Sequence, residues 1–182
     1  MGFLRPVATA GFAASYACAA LAADVSRYTR VNDRAACHFT QTKASKDGPE
    51  SCEYVCAGPV AGVRTKLLSC YDYEHLLVEA DGKWLSTWAA MTQVGGFSGL
   101  ANKNGTVEWV FAAGGEPARA SLKGLIARFQ GVDAESDKSR NALAVISLRP
   151  GEICWKGNYP TNDAARAAID GACKGPLAEE GK

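Results

Sequence analysis

Apolar and polar residues alternate in short runs over most of the chain, and turn-forming residues separate these runs. Alternation with a period of two is typical of strands that are buried on one face. The run Ala142–Leu148 is apolar almost throughout, as expected of a central strand covered on both faces. The pattern predicts about seven or eight strands, among them Tyr73–Ala80, Lys83–Met91, Thr106–Ala112, Ala118–Phe129, Ala142–Leu148 and Glu152–Lys156, and Val25–Val31 could form a further one.

Glycine, proline and aspartate mark the reversals between these strands. Two alternating runs within Glu50–Asp72 flank Gly58–Gly62, whose glycines and proline predict a β-hairpin. Asp81-Gly82 predicts a second hairpin, because both central residues of that tight turn need positive φ. The glycine-rich segment Gln93–Gly105 predicts a long mobile loop, and Gly131–Arg140 predicts a charged loop.

The last part of the chain changes to a helical period. Thr161 or Asn162 can cap a helix, in which small apolar residues then recur at helical spacing until Gly175-Pro176 ends it. Cys173 lies in the last turn and can bond Cys154, which would tie the helix to the sheet. The sequence therefore predicts a mainly β fold, an antiparallel sandwich or a barrel-like structure, with one C-terminal α-helix and disulfide links.

Residues 1–22 have the layout of an export signal. Arg5 precedes an uncharged, alanine-rich stretch that ends in the small residues Ala20–Ala23, which suit a signal peptidase. The alternatives are a membrane anchor, for which the stretch falls at or below the roughly 20 apolar residues needed, and a lipoprotein acylated at Cys18. We predict a signal peptide at 1–22, one exported domain at 23–176 and a flexible tail at 177–182.

Composition and charge narrow the class of protein. The chain has 182 residues, of which 47% are apolar and 21% are charged, and this balance excludes a disordered chain and fits one globular domain. The formal net charge is +1, from 20 basic and 19 acidic residues, without a basic block. Nucleic acid and acidic membrane surfaces are therefore not expected as partners, and no stable membrane span is expected after signal cleavage.

Six of the seven cysteines lie beyond the export signal, and an even number in an oxidising compartment predicts three disulfides. If Cys56 lies opposite Lys66 in the first hairpin, Cys52 falls opposite Cys70, and a bridge between these two is geometrically natural. Six cysteines allow 15 pairings, so the residues alone leave the connectivity open.

A metal site is the alternative use of these cysteines. Cys52 and Cys56 have a zinc-like spacing, but no second close pair of cysteines or histidines follows. The two histidines of the chain, His38 and His75, have no matching motif. We predict no metal site and no cofactor.

Several motifs follow one another between about Cys37 and Cys173: Tyr54-x-Cys56-x-Gly58-Pro59-x-x-Gly62, Gly105-Thr106-Val107-Glu108-Trp109, Gly151-Glu152-Ile153-Cys154 and a predicted helix that ends in Cys173. Their order resembles that in a family of small, uncharacterised exported bacterial proteins. It implies that Cys37–Cys56 and Cys154–Cys173 are shared bridges and that Cys52–Cys70 is an addition. The family has no established activity, so the resemblance implies an architecture.

Two positions depart from that family. It usually has Asp-x-Arg after the hairpin, where this chain has Cys70-Tyr71-Asp72-Tyr73, and it often has a histidine where this chain has Trp155. The family's Asp-x-Arg and histidine, which this chain lacks, would have been the first candidates for catalytic residues.

Catalytic signals are weak. The spacing of a nucleophile elbow is absent, and so are the glycine-rich fingerprints of phosphate and dinucleotide sites. His75, flanked by Asp72 and Glu74, is the better of the two histidines for a hydrolase, although on a strand Glu74 and His75 point to opposite faces.

Aromatic residues are the stronger candidates for a binding surface. If Lys83–Met91 is a strand, Trp84 and Trp88 share one face, next to the glycine-rich loop that contains Phe97. Together with Trp109 they could stack on a sugar ring or on a partner side chain, and the alternative is that the tryptophans fill the core.

The leading hypothesis is a small exported protein of the bacterial periplasm or exterior that acts as a non-enzymatic binding or structural module. A possible partner is a periplasmic or cell-wall protein. A second hypothesis is an inhibitor of a cell-wall hydrolase, because the Tyr54-x-Cys56 hairpin is similar to one in bacterial lysozyme inhibitors. A third is a hydrolase that uses His75 and Asp72.

Overall fold

A computed structural model of the chain describes residues 23–44, 50–70, 74–94, 96–114, 116–133 and 135–180. These residues form eleven strands and one α-helix. Their bounds are β1 Val25–Arg30, β2 His38–Thr42, β3 Ser51–Ala57, β4 Val63–Ser69, β5 His75–Ala80, β6 Lys83–Ser86, β7 Phe97–Phe111, β8 Leu122–Asp133, β9 Ser139–Arg149, β10 Glu152–Tyr159, α1 Asn162–Ala168 and β11 Ala178–Glu179. The predicted signal peptide at 1–22 lies outside the described residues.

The strands form two antiparallel sheets. Sheet A has the order β1-β7-β8-β9-β10 and sheet B the order β11-β6-β5-β4-β3-β2. Neighbouring strands pair in antiparallel fashion throughout both sheets. The described strands do not close into a barrel, so the mainly β prediction is confirmed in its sandwich form.

One apolar core lies between the sheets. Alternate residues of β4 and β5 in sheet B and of β7, β8 and β9 in sheet A turn inward, as a period of two requires. The largest of these fully buried side chains are Leu67, Leu76, Trp109, Phe111, Leu125, Phe129 and Ile146. Both faces of β9 are covered, as the apolar run Ala142–Leu148 predicted.

The first hairpin has a different register from the predicted one. Cys56 pairs with Thr65 rather than with Lys66, and Cys52 pairs with Ser69. Burial explains the shift by one residue, because Thr65 belongs to the side chains of β4 that enter the core, whereas Lys66 lies on the outer face. Cys70 follows the strand with a positive φ of 68° and still reaches Cys52.

Three disulfides are present, Cys37–Cys56, Cys52–Cys70 and Cys154–Cys173, with Cα–Cα distances of 4.3, 5.3 and 5.8 Å. These are the pairs that the sequence analysis considered. The first joins the segment before β2 to β3, and the second closes the open end of the β3–β4 hairpin. The third ties β10 to the segment after α1. The prediction that Cys173 lies in the last turn of the helix is wrong, because α1 already ends at Ala168.

The predicted strand Lys83–Met91 ends early. Both the backbone N–H and the hydroxyl of Thr87 donate to Leu76 O, and the chain then enters a π-helical turn at Ala90–Val94. This turn places Met91 in the core. The prediction that Trp84 and Trp88 share a strand face is therefore wrong.

The predicted loops are shorter than expected. Most of Gln93–Gly105 belongs to the long strand β7, because it pairs with the end of β8, beginning with Phe97 opposite Asp133. The charged loop Gly131–Arg140 shrinks to the few residues between β8 and β9, where Asp133 accepts hydrogen bonds from the backbone N–H of residues 135 and 136. The predicted strand Ala118–Phe129 begins with a 3₁₀ turn at Arg119–Ser121.

Helix α1 covers part of the outer face of sheet A. Thr161 caps it by accepting a hydrogen bond from the N–H of Ala164, as predicted. Ala165 and Ile169 pack against Val110, Ile126, Leu143 and Val145. Gly124 makes this close approach possible, since a Cβ there would lie 2.8 Å from Ile169 Cδ1.

The segment after the helix, residues 174–180, forms a strap between the two sheets. Trp155 in β10 exchanges backbone hydrogen bonds with Lys174 and Gly175, and Ala178–Glu179 pair with β6. Glu180 N donates to Trp84 O. Residues 178–180, which belong to the segment 177–182 that was predicted as a flexible tail, bond to the edge of β6 through these contacts. None of the helices in the described ranges has the length and hydropathy of a membrane span.

Candidate functional site

Of the aromatic residues that were predicted to form a surface, Trp109 lies in the core. Trp109 is fully buried between the sheets, and its Nε1 donates to Thr29 Oγ1 at 2.9 Å. It therefore belongs to the core. Phe97 begins β7, and its side chain lies outside the described part of the structure.

Trp84 lies on the outer face of sheet B, whereas Trp88 follows β6 and packs against the core, and both are half-buried. Lys66 Nζ lies 4.7 Å from the centroid of the Trp84 ring, and Arg64 approaches the same ring. The Trp88 ring meets the His75 ring edge-on at 5.8 Å. Two cations of the chain thus lie over the Trp84 ring.

His75 has a partner that the sequence did not indicate. Its Nε2 lies 2.8 Å from Ser86 Oγ, which also accepts a hydrogen bond from Trp88 N. Burial lowers the pKa of His75, and the nearby carboxylate of Glu180 opposes this effect. Asp72, the predicted partner of His75, lies outside the described residues.

Tyr54 belongs to the hairpin that is similar to one in lysozyme inhibitors. Its side chain packs against neighbouring residues and is not exposed for contact with a partner. It is half-buried against the core, and its ring centroid lies 4.7 Å from that of Phe39. The structure therefore gives it a packing role in the β2–β3 pair.

A groove lies on the outer face of sheet A, between the edge strand β1 and helix α1. We call it the β1–α1 groove. Its volume is about 290 Å³, and it is lined by Tyr28, Thr106, Glu108, Ile126, Arg128, Leu143, Asn162 and Arg166. A second hollow of about 510 Å³ lies on the other side of Tyr28 and Arg166, over Val110, Ser26 and Asp24.

An ion pair divides these two hollows. Glu108 in β7 is 7% exposed, and it lies directly opposite Tyr28 of β1. Arg166 reaches from the helix to donate two hydrogen bonds to its carboxylate, from Nε at 2.7 Å and from Nη2 at 3.2 Å. Ser26 Oγ donates a third at 2.6 Å. These contacts fix the carboxylate in one position.

The same guanidinium positions Tyr28. Arg166 Nη2 donates to the Tyr28 hydroxyl at 3.2 Å, while the tyrosine as a whole is 60% exposed. Hydrogen bonding to Glu108 and its negative charge raise the pKa of Arg166, so this bridge stays charged. The groove therefore has an aromatic rim of defined orientation.

Arg128 forms the opposite rim. It projects from β8, and its Nη2 donates to Asn162 Oδ1 at 3.2 Å. Within the described ranges no carboxylate pairs with Arg128. Since the charge of Arg166 is balanced by Glu108, Arg128 gives the groove a net charge of one positive unit.

A salt-bridge network closes the far end of the second hollow. Lys123 Nζ binds Asp24 at 2.7 Å and Asp170 at 2.9 Å, and Arg149 also pairs with Asp170. Desolvation lowers the pKa of Lys123, but these hydrogen bonds outweigh it, so the pKa is raised. The hydrogen bond from Lys123 lowers the pKa of Asp170. This network ties residue 24 to the end of α1.

Two groups of residues have donor atoms close enough for a metal ion, Glu50 with Cys52 and Cys70, and Glu152 with Cys154 and Cys173. In both groups the two cysteines form a disulfide, so their sulfurs are not free thiolates. Neither group therefore offers the donor set of a metal site.

Comparisons of the chain with protein-family models, with curated proteins and with solved structures find no match.

Proposed function

We propose that this protein is a non-enzymatic binding module that works outside the cytoplasm and takes its ligand in the β1–α1 groove. The carrying observation is the fixed rim of the groove, in which Glu108, Arg166 and Tyr28 are joined by direct hydrogen bonds. A site whose side chains are already held in place loses less conformational entropy on binding. Tyr28 and Glu108 stand on strands of a disulfide-linked sandwich, and Arg166 stands on the helix that packs against it, so the fold keeps all three in place.

The disulfides and the predicted export signal support a location outside the cytoplasm. Three disulfides form and persist in oxidising surroundings such as the periplasm or the cell exterior. Residues 1–22 have the layout that directs a chain there. We therefore place the protein among exported bacterial proteins, with ligands drawn from the periplasm or the cell wall.

Binding rather than catalysis is favoured by how Glu108 is used. Both of its carboxylate oxygens accept hydrogen bonds, one from Ser26 and Arg166 and the other from Arg166 alone. A general acid or base has to reach the substrate with a free position. Glu108 instead holds Arg166 and, through it, Tyr28.

A thermal-shift screen tests this function. Small molecules and soluble glycans of the bacterial envelope are added to the wild type and to a Tyr28→Ala/Arg128→Gln variant. A ligand of the folded state raises the midpoint of unfolding. We expect ligands that stabilise the wild type and not the variant, and equal stabilisation of both proteins would contradict the proposal.

The contact between His75 and Ser86 favours a second candidate, a hydrolase in which Ser86 is the nucleophile and His75 the base. The 2.8 Å separation is suited to proton transfer, and the lowered pKa keeps His75 neutral near pH 7. A fluorophosphonate probe tests it. Labelling of the wild type but not of Ser86→Ala would support this function, and absence of labelling in the wild type would reject it.

A further inference from the structure

We infer that the ligand of the β1–α1 groove is an acidic saccharide, whose sugar ring lies against Tyr28 and whose anionic group pairs with Arg128. This inference rests on the proposed function, because it names the class of ligand for the same groove. Three features of the groove support it: an open aromatic face, an arginine without a carboxylate partner in the described ranges, and a rim of amide and guanidinium groups.

The aromatic face is that of Tyr28. Its hydroxyl is held by Arg166 at 3.2 Å, and yet 60% of the residue remains exposed beside the groove. The face of an aromatic ring carries partial negative charge and attracts the weakly positive C–H groups of a flat ring such as a pyranose. A fixed, exposed tyrosine is therefore suited to stack on a sugar.

The anionic group is selected by Arg128. Glu108 neutralises Arg166 through two hydrogen bonds, whereas Arg128 makes its hydrogen bond to the neutral amide of Asn162. A guanidinium binds carboxylate, sulfate or phosphate groups in a two-bond geometry. The groove thus carries one positive charge that a ligand anion can balance.

The remaining lining suits hydroxyl groups better than an acyl chain. Asn162 accepts from Arg128 with its Oδ1, which leaves its NH₂ group as a donor for a sugar hydroxyl. The apolar part of the lining is a small floor formed by Ile126 and Leu143. A lipid tail would need a larger and more enclosed apolar cavity.

Two sources of acidic sugar are available to an exported bacterial protein, uronate polysaccharides and the lactyl carboxylate of cell-wall glycans. Calorimetry with three probes separates them: trigalacturonate, a cell-wall disaccharide with a free lactyl carboxylate, and neutral galactotriose. We expect at least one acidic probe to bind about tenfold or more tightly than the neutral one, in keeping with a charge-assisted hydrogen bond. Added salt should reduce that ratio.

Variants show whether the groove is responsible. Arg128→Gln should abolish the preference for the acidic probe, and Tyr28→Ala should weaken both kinds of probe. Arg27→Gln is the matched control, because Arg27 is also exposed but points to the other face of β1. Tyr28→Phe keeps the ring and should retain more binding than Tyr28→Ala. Circular dichroism confirms that each variant is folded.

The outcomes separate this inference from the function on which it rests. Equal affinity for acidic and neutral probes, or an unchanged ratio of the two affinities in Arg128→Gln, would overturn the inference of an acidic saccharide and leave the groove as a binding site. If neither saccharides nor any compound of the envelope library binds in the groove, both the inference and the proposed function fail.

Discussion

Arg166 of helix α1 and Glu108 of strand β7 are 58 residues apart in the chain and form a two-bond ion pair on the outer face of sheet A. The carboxylate is almost fully buried, whereas the guanidinium side chain is 44% exposed. The pair therefore joins the helix to the sheet at the place where the β1–α1 groove begins.

Removal of Arg166 should destabilise the protein. In Arg166→Ala the buried carboxylate of Glu108 keeps one protein donor, Ser26, and loses two hydrogen bonds. We expect the free energy of unfolding to fall by about 1–2 kcal/mol, a value that allows for the exposure of Arg166. Urea denaturation measures it. Arg128→Ala is the control and should change stability by less than about 0.5 kcal/mol, and equal losses in the two variants would contradict a structural role for the pair.

Gly124 should not tolerate a side chain. A Cβ at this position would lie 2.1 Å from Ile146 O and 2.8 Å from Ile169 Cδ1, so either β9 or the end of α1 has to move. We expect Gly124→Ala to cost about 1–3 kcal/mol through overpacking. Gly175→Ala is the control, because its nearest neighbour would lie at an ordinary 3.9 Å. The prediction fails if thermal denaturation gives the same midpoint for the two variants.

The Cys154–Cys173 bridge should hold the strap in place. Its residues are 19 apart, and the loop-closure estimate for such a bridge is about 3 kcal/mol. In a Cys154→Ala/Cys173→Ala variant we expect the amides of residues 178–180 to exchange faster with deuterium. Removal of Cys52–Cys70, a bridge of similar span on the other side of sheet B, should leave that exchange unchanged. If the amides of residues 178–180 exchange at the same rate after loss of Cys154–Cys173, the prediction is contradicted, because β11 then pairs with β6 without the bridge.

His75 should make stability depend on pH. Its pKa is lowered from the ordinary 6.5 by burial, so protonation favours the unfolded chain. The stability that His75 contributes is fully present above pH 6.5 and is lost as the pH falls through the lower folded-state pKa. Carboxylates with a lowered pKa, such as Asp170, also contribute to stability, but they lose this contribution only at more acidic pH.

Urea denaturation at pH 7 and at pH 5 measures this effect. We expect the wild type to be less stable at pH 5 and His75→Asn to show a smaller difference between the two pH values. His38→Asn, on the exposed edge strand β2, is the control and should keep the wild-type difference. An identical pH dependence in wild type and His75→Asn would contradict the assignment.

Local patterns predicted much of the fold. Alternating residues identified most strands of both sheets but not β2 or β11, and Thr161 or Asn162 was the predicted start of the helix. The bridge between Cys154 and Cys173 was also expected. The register of the first hairpin was missed, because its turn allows two registers and the burial of Thr65 in the assembled core selects between them. The long strand β7 was missed because pairing with β8 overrides its glycines.

The β1–α1 groove could not be predicted from the sequence. Tyr28 and Arg166, which form one rim, are 138 residues apart, and neither belongs to a motif. The one local signal was Glu108, a charged residue between apolar neighbours in a strand, and such a residue is more often solvated. Only the packing of α1 on sheet A turns it into a buried partner of Arg166.

The most direct test of the proposed function is the location of a bound ligand by amide chemical-shift mapping of the isotope-labelled protein. The probes are the acidic saccharides and the compounds that raise the unfolding midpoint. We predict that the largest shifts fall on Tyr28, Glu108, Arg128 and Arg166 and on their neighbours along β1, β7, β8 and α1. Shifts centred on Trp84 and His75 in sheet B, or no shift with any probe, would contradict a binding site in the β1–α1 groove.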